Sequence, residues 1–163
     1  MKKYIYILIF FAIVTNWDIV SSTLGFSGNQ YTIGNYTDEK WYTGHIGYSE
    51  ALKLSDERET PTLIYMYTDW CKYCRKFESE LLTNSEVNAT LSKFIKIKIN
   101  PEKNEQDKQL YNKLNGKGFP TLMFQYGENG KLKRVRAPYT KIAGNWKLMT
   151  TSEFITILQK YGS

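Results

Sequence analysis

The chain has 163 residues, a formal net charge of +6 and a sequence pI near 9.1. Its 42% hydrophobic and 15% aromatic content excludes a disordered chain, and its length suits one core rather than two. The basic balance fits acidic partners or a membrane surface, but no helix or stripe is densely basic, so nucleic-acid binding is set aside.

Lys2 and Lys3 precede an unbroken apolar run over residues 4–14, and polar Thr15, Asn16 and Asp18 follow it. Eleven residues are too few to span a bilayer and match the core of a signal peptide. Small residues at Val20-Ser21-Ser22 suit cleavage after Ser22. Residues 1–22 are therefore expected to be a signal peptide, or an N-terminal anchor if uncleaved. Residues 23–47 hold five glycines and are expected to be an extended lead-in with little regular structure. Trp41 and Tyr42 are expected to tuck against the domain. His45, the single histidine, is expected in a surface loop.

A helix is expected over 48–58, capped by Ser49. Residues 62–67 are apolar on both faces, as in a buried central strand. Residues 71–82 have helical spacing, with Cys74, Phe77 and Leu81 inward. A short helix to residue 92 follows, capped by Asn84 or Ser85. Residues 94–99 alternate strictly, which predicts a half-buried strand with Lys96 and Lys98 turned outward, near a sheet edge. Asn100-Pro101-Glu102 is read as the start of a helix to about residue 115. Residues 121–126 are the next strand. Asn129-Gly130 signals a turn, with a returning strand over 131–137. Residues 138–148 are read as a basic, irregular connection. Thr150 and Glu153 have capping-box spacing before a final helix. The helical crossovers imply parallel pairing of 62–67 with 94–99 and of 94–99 with 121–126, and the turn makes the last pair antiparallel. The expected class is α/β, a mixed central sheet of about four strands flanked by helices on both faces, over residues 48–163.

The chemistry centres on Cys71 and Cys74, the two cysteines of the chain. A C-x-x-C pair where a strand meets a helix is a thiol–disulfide redox signal. A helix start carries unpaired N–H groups and partial positive charge, which favour a thiolate, and Lys72, Arg75 and Lys76 add to it. Cys71 is the expected nucleophile and Cys74 the resolving thiol. A structural staple is disfavoured because so short a loop gives little stabilisation. Zinc would need two further ligands in a chain with one histidine. No metal or other cofactor is expected beyond the redox-active disulfide.

The sequence Asp69-Trp70-Cys71-Lys72-Tyr73-Cys74, with Gly118-Phe119-Pro120-Thr121 some 45 residues later, resembles the thioredoxin superfamily over residues 48–163. Within it, Tyr67-Thr68-Asp69-Trp70-Cys71 through Arg75-Lys76-Phe77-Glu78 is similar to the exported group that includes the C-terminal periplasmic domain of the transmembrane thiol:disulfide interchange protein. The resemblance implies a thioredoxin-like fold, an exposed Cys71, a buried Cys74 and a cis Pro120 beside the pair. It implies substrate contact at Trp70, Phe119 and Pro120, with the Phe119 backbone pairing with substrate. Thioredoxins commonly carry a buried Asp six residues before the first cysteine. Tyr65 stands there instead, so Glu78 is the candidate aid to proton transfer, against a solvated Glu78 or one paired with cations on the Lys76 side.

The implied function is an exported thiol:disulfide oxidoreductase that reduces disulfides of extracytoplasmic proteins. The periplasm is the expected compartment, with secretion or membrane anchoring as alternatives. Expected partners are proteins bearing disulfides or thiols and a membrane thiol donor. Two alternatives stand beside this reading. One is a disulfide donor or isomerase. The other is a non-enzymatic binding or chaperone module, with contacts over 31–48 and 131–147.

Overall fold

The structure, a computed structural model, describes residues 40–135 and 138–162. The expected signal segment and most of the lead-in lie outside these. Among the described residues no helix is long and apolar enough to cross a membrane.

Five strands form one sheet: β1 (Trp41–Thr43), β2 (Thr62–Met66), β3 (Ile95–Ile99), β4 (Thr121–Gln125) and β5 (Lys133–Val135), in the order β1-β3-β2-β4-β5. β1 and β2 run parallel to β3, while β4 runs antiparallel to β2 and to β5. Among the described residues the α-helices are α1 (Gly44–Arg58), α2 (Lys72–Phe77), α3 (Ser85–Leu91), α4 (Glu105–Lys113) and α5 (Thr151–Tyr161). The expected single helix over 71–82 is α2 followed by a π-helical turn, Glu78–Leu82.

Alternation along the strands divides the core in two. Leu63 and Tyr65 of β2, with Leu122 and Phe124 of β4, face a cluster completed by Phe77, Leu91, Phe154 and Leu158. Ile64, Met66 and Met123 face the other way, with Ile95, Ile97, Ile99, Ala51 and Leu110. Helices α2, α3 and α5 therefore cover one face, and α1 and α4 the other.

β4 does not lie parallel beside β3. It crosses to the far side of β2 and runs antiparallel, with Thr121 opposite Met66. The connection supplies the reason. After α4, residues 114–120 can extend about 23 Å, enough to return the chain to the end of the sheet from which it left. This places Pro120 level with the end of β2, just before the cysteine loop. β3 lies near an edge as expected, one strand in, but Lys96 is not turned to solvent. β1 covers that side, so Lys96 is 4% exposed, and its Nζ lies 3.5 Å from the carbonyls of Leu91 and Phe94. Buried ammonium groups reach such backbone acceptors when the stem is packed. Residues 138–148 hold a hairpin, β6 (Tyr139–Ile142) and β7 (Asn145–Leu148). α4 begins at Glu105 with Asn104 as its cap, not at Asn100; the Asn100 side chain instead closes a local turn on the Glu102 N–H at 3.0 Å.

α1 also starts earlier than expected. Thr43, not Ser49, holds the cap position and makes no side-chain bond. The first-turn N–H of His45 donates to Asp107 Oδ1 at 2.6 Å, so a carboxylate from α4 caps α1. Gly44 has φ 64°, and a Cβ there would lie 2.9 Å from both Asp107 carboxylate oxygens. Glycine is required on both grounds. Elsewhere the caps match the sequence signals. Asn84 accepts from the Glu86 and Val87 N–H groups, and Thr150 and Glu153 form a reciprocal capping box.

Candidate active site

The site is built where β2 ends. The loop over 67–71 is pinned at both ends: the Tyr67 N–H donates to the Ile99 carbonyl at 3.0 Å, and the Cys71 N–H to the Thr68 carbonyl at 3.2 Å. Cys71 then sits at the N-cap of α2, where its Sγ accepts the Cys74 N–H at 3.1 Å. Cys71 and Cys74 are joined as a disulfide, with Cα atoms 5.2 Å apart. Both are well covered. Cys71 is 4% exposed and Cys74 1%, so the exposed Cys71 implied by the resemblance is nearly closed over in this disulfide form. Tyr73 and Phe119 pack against the cluster that holds both sulfurs.

The loop that carries Pro120 meets the cysteine loop through aromatic rings. Trp70 is 65% exposed, and its ring stands edge-on to Phe119 with centroids 6.2 Å apart. Phe119 leans in turn on Tyr111 at 5.3 Å. The Phe119–Pro120 peptide is cis, and Gly118 before it has φ 85°, a conformation that side chains oppose. The Gly118 N–H donates to the Tyr111 hydroxyl at 2.9 Å. Trp70 is also held from outside, its indole N–H donating to the Glu102 carboxylate at 2.9 Å.

Behind the disulfide, Tyr65 is fully buried among Trp41, Tyr67 and Phe77. Burial, and then the Glu78 carboxylate, push its phenol far above the ordinary range. Tyr65 thus stays neutral, and Glu78 is the acid beside the position where thioredoxins commonly carry one. Glu78 does not pair with Lys76, which reaches Glu80 instead at 3.7 Å. Its partner is Lys98, at 3.2 Å. The same ammonium lies 5.0 Å from the Trp41 ring and 5.6 Å from Tyr65. Strand alternation in the sequence marked Lys98 only as outward; the contacts that give it a place in the site come from residues far along the chain.

A further support was also hidden in the sequence. The Tyr139 hydroxyl of β6 donates to the backbone carbonyl of Tyr73 at 2.8 Å, and the two rings meet at 5.0 Å. The hairpin therefore holds the middle of the C-x-x-C segment. Burial first, then Glu80 and Tyr73, raise the Tyr139 phenol to about 12. An acid whose folded pKa exceeds its unfolded value near 10 contributes stability below pH 10 that is lost as pH rises toward 12. In denaturant titrations between about pH 9 and 12, stability should fall with pH, and fall less steeply in Tyr139→Phe.

His45 is not a lone surface residue. Its Nδ1 lies 2.8 Å from Asp107 Oδ1. Among the described residues no three His, Cys, Asp or Glu side chains group so as to hold a metal ion. What the arrangement offers is a buried disulfide at a helix start that can take up two electrons as two thiols.

A family model described as a thioredoxin-like domain matches residues 48–139. The thiol:disulfide interchange protein DsbD of Tatumella citrea is 32% identical over 109 residues, covering 66% of this chain and 18% of its own length. DsbD of Actinobacillus pleuropneumoniae is 26% identical over 106 residues, with 60% and 18% covered. The chain thus spans less than a fifth of the length of these curated relatives. Among solved structures, the oxidised C-terminal domain of Neisseria meningitidis DsbD superposes with a TM-score of 0.55 at 15% identity, over 75% of this chain and 99% of that one. A thioredoxin from Thermus thermophilus gives 0.51 at 21%, over 74% and 85%. These structural likenesses speak to the fold. The Cys71–Cys74 disulfide lies within the matched residues, and the chain belongs to the thioredoxin-like domain family.

Proposed function

We propose that this chain is an exported reductant of protein disulfides. The carrying observation is the Cys71–Cys74 disulfide at the start of α2, faced by the Trp70–Phe119 contact and the cis Pro120 loop. In the reduced protein the helix start and nearby Lys72, Arg75 and Lys76 favour the Cys71 thiolate. That thiolate attacks one sulfur of a client disulfide, and the other client sulfur leaves as a thiolate. Cys74 then loses its proton and attacks the Cys71 sulfur. The second client thiolate departs, and the Cys71–Cys74 disulfide forms. Two electrons have passed to the client. Trp70, Phe119 and Pro120 form the client-facing surface, with the Phe119 backbone as the pairing edge. Glu78, oriented by Lys98, takes the Cys74 proton.

Export and direction rest on the N-terminal segment and the similarity to DsbD. A basic n-region, an eleven-residue apolar core and small residues before Thr23 support passage out of the cytoplasm. The periplasm is the compartment this implies. There the electrons come from a membrane thiol carrier, since no soluble thiol buffer maintains reduction outside the cytoplasm. Alkylation of intact cells tests this. The cysteine pair should be mostly thiol when the carrier is present and disulfide when it is deleted. A pair that stays oxidised in both strains would make the protein a disulfide donor.

A further inference from the structure

We propose that a pocket beside the redox loop is a carboxylate-binding subsite, filled by an acidic side chain of the bound partner or by a free small carboxylate. The pocket has a volume of about 400 Å³ and lies between the start of α1, the end of β3 and the approach to α4. Tyr67, Lys98, Asn100, Lys103, His45 and Asp107 are in its wall. It adds a recognition element to the exchange centre, and it depends on the proposed function only for its location there.

The wall is unbalanced in its hydrogen-bonding capacity. Its one carboxylate is already used. Asp107 accepts the His45 N–H at 2.6 Å and faces His45 Nδ1 at 2.8 Å on one oxygen, and takes the Asn104 amide at 3.1 Å on the other. The cations keep N–H bonds to spare, although the Lys98 ammonium also lies over the Trp41, Tyr65 and Tyr67 rings. An ammonium has three N–H bonds. Lys98 directs one toward Glu78 at 3.2 Å, and Lys103 one toward Asp69 at 2.8 Å. Both pairs are partly open to solvent, where such pairs hold weakly and a new acceptor can share the cation. Asn100 gives its Oδ1 to the Glu102 N–H, while its amide nitrogen is buried without a protein acceptor. His45 has Nδ1 tied to Asp107, which leaves Nε2 as its second polar atom. Two cations with N–H bonds to spare around a satisfied carboxylate select an acceptor-rich, negatively charged group.

The location gives the subsite its use. Tyr67 in the wall is followed by Thr68, whose carbonyl holds the Cys71 N–H. Lys103 pairs with Asp69, and its neighbour Glu102 accepts the Trp70 indole N–H. A partner lying across Trp70 and Cys71 can therefore place a nearby acidic side chain in the pocket.

The test is binding to the oxidised full chain, read by amide NMR shifts, so it does not depend on turnover. The probes are the capped peptides acetyl-Ser-Glu-Ser-amide and acetyl-Ser-Gln-Ser-amide, and glutarate. The glutamyl peptide, glutarate or both should shift the amides of His45, Asn100 and Lys103. The glutamyl peptide should bind at least roughly fivefold more tightly than the glutaminyl one if the source is a partner side chain. Binding of glutarate without that preference assigns the pocket to a free small carboxylate. Lys103→Gln, an exposed change that leaves the core intact, should weaken binding of whichever probe succeeds. The proposal is overturned if neither carboxylate probe shifts the pocket amides, if only the glutaminyl peptide does, or if Lys103→Gln binds as well as the parent. An exchange-active protein with any of those results would retain its proposed function and lose this subsite.

Discussion

Replacing Cys74 with serine should convert the protein into a trap. Cys71 can still attack a client disulfide, but no second thiol can release it, so mixed disulfides accumulate on Cys71. Non-reducing gels of cells that express Cys74→Ser should show adducts that vanish with reductant. Cys71→Ser and the double serine variant should show none, and turnover of a model disulfide should fall to background in all three. The structure explains why the loss cannot be repaired locally. These are the chain's two cysteines, and Cys74 is 1% exposed beneath the first turn of α2, out of reach of solvent thiols. A Cys74→Ser protein that captures nothing while the parent turns over would refute the order of attack.

The second large effect concerns what holds α2 in place. Phe77 is fully buried and meets Tyr65 and Phe154 edge-on, each with centroids 5.4 Å apart. It joins the active-site helix both to the central strand β2 and to the final helix α5. Phe77→Ala removes those contacts and leaves a cavity between three elements, at a cost of about 3–5 kcal/mol. Denaturant unfolding should show that loss directly. The exchange rate should fall as well, because the Cys71 N-cap geometry relies on α2 staying docked. Phe77→Leu, which keeps most of the volume, should recover much of the stability. A loss under about 1 kcal/mol for Phe77→Ala would mean that the surrounding core closes over the gap.

The local signals in the chain were legible. A cysteine pair two residues apart, an asparagine before Val87, and Thr150 with Glu153 each state their structure within a few residues. The motif beginning at Gly118 was legible for the same reason. Non-local pairing was not. Nothing near Thr121 records that β4 will cross to the far side of β2, because a helix and a long tail can deliver a strand in either direction. Alternation at Ile95–Ile99 showed which face each lysine takes but not that β1 would cover Lys96 or that Glu78 would meet Lys98. β1 escaped notice because three residues in a glycine-rich stretch carry too little pattern. The β6–β7 hairpin escaped because Ala143 and Gly144 turn it, both at positive φ. Asparagine is the usual signal at such a place, and alanine is not. The His45–Asp107 contact spans 62 positions and left no mark in the sequence at all.

The reducing direction is tested most directly by the equilibrium potential of the Cys71–Cys74 couple, titrated against glutathione with the full-length mature protein. A reductant supplied by a membrane thiol carrier must hold its electrons weakly enough to pass them on. The predicted value is therefore close to that of thioredoxin, about −270 mV. A value at or above about −180 mV, in the range of disulfide isomerases and oxidants, would contradict the reducing direction and make the chain a disulfide donor.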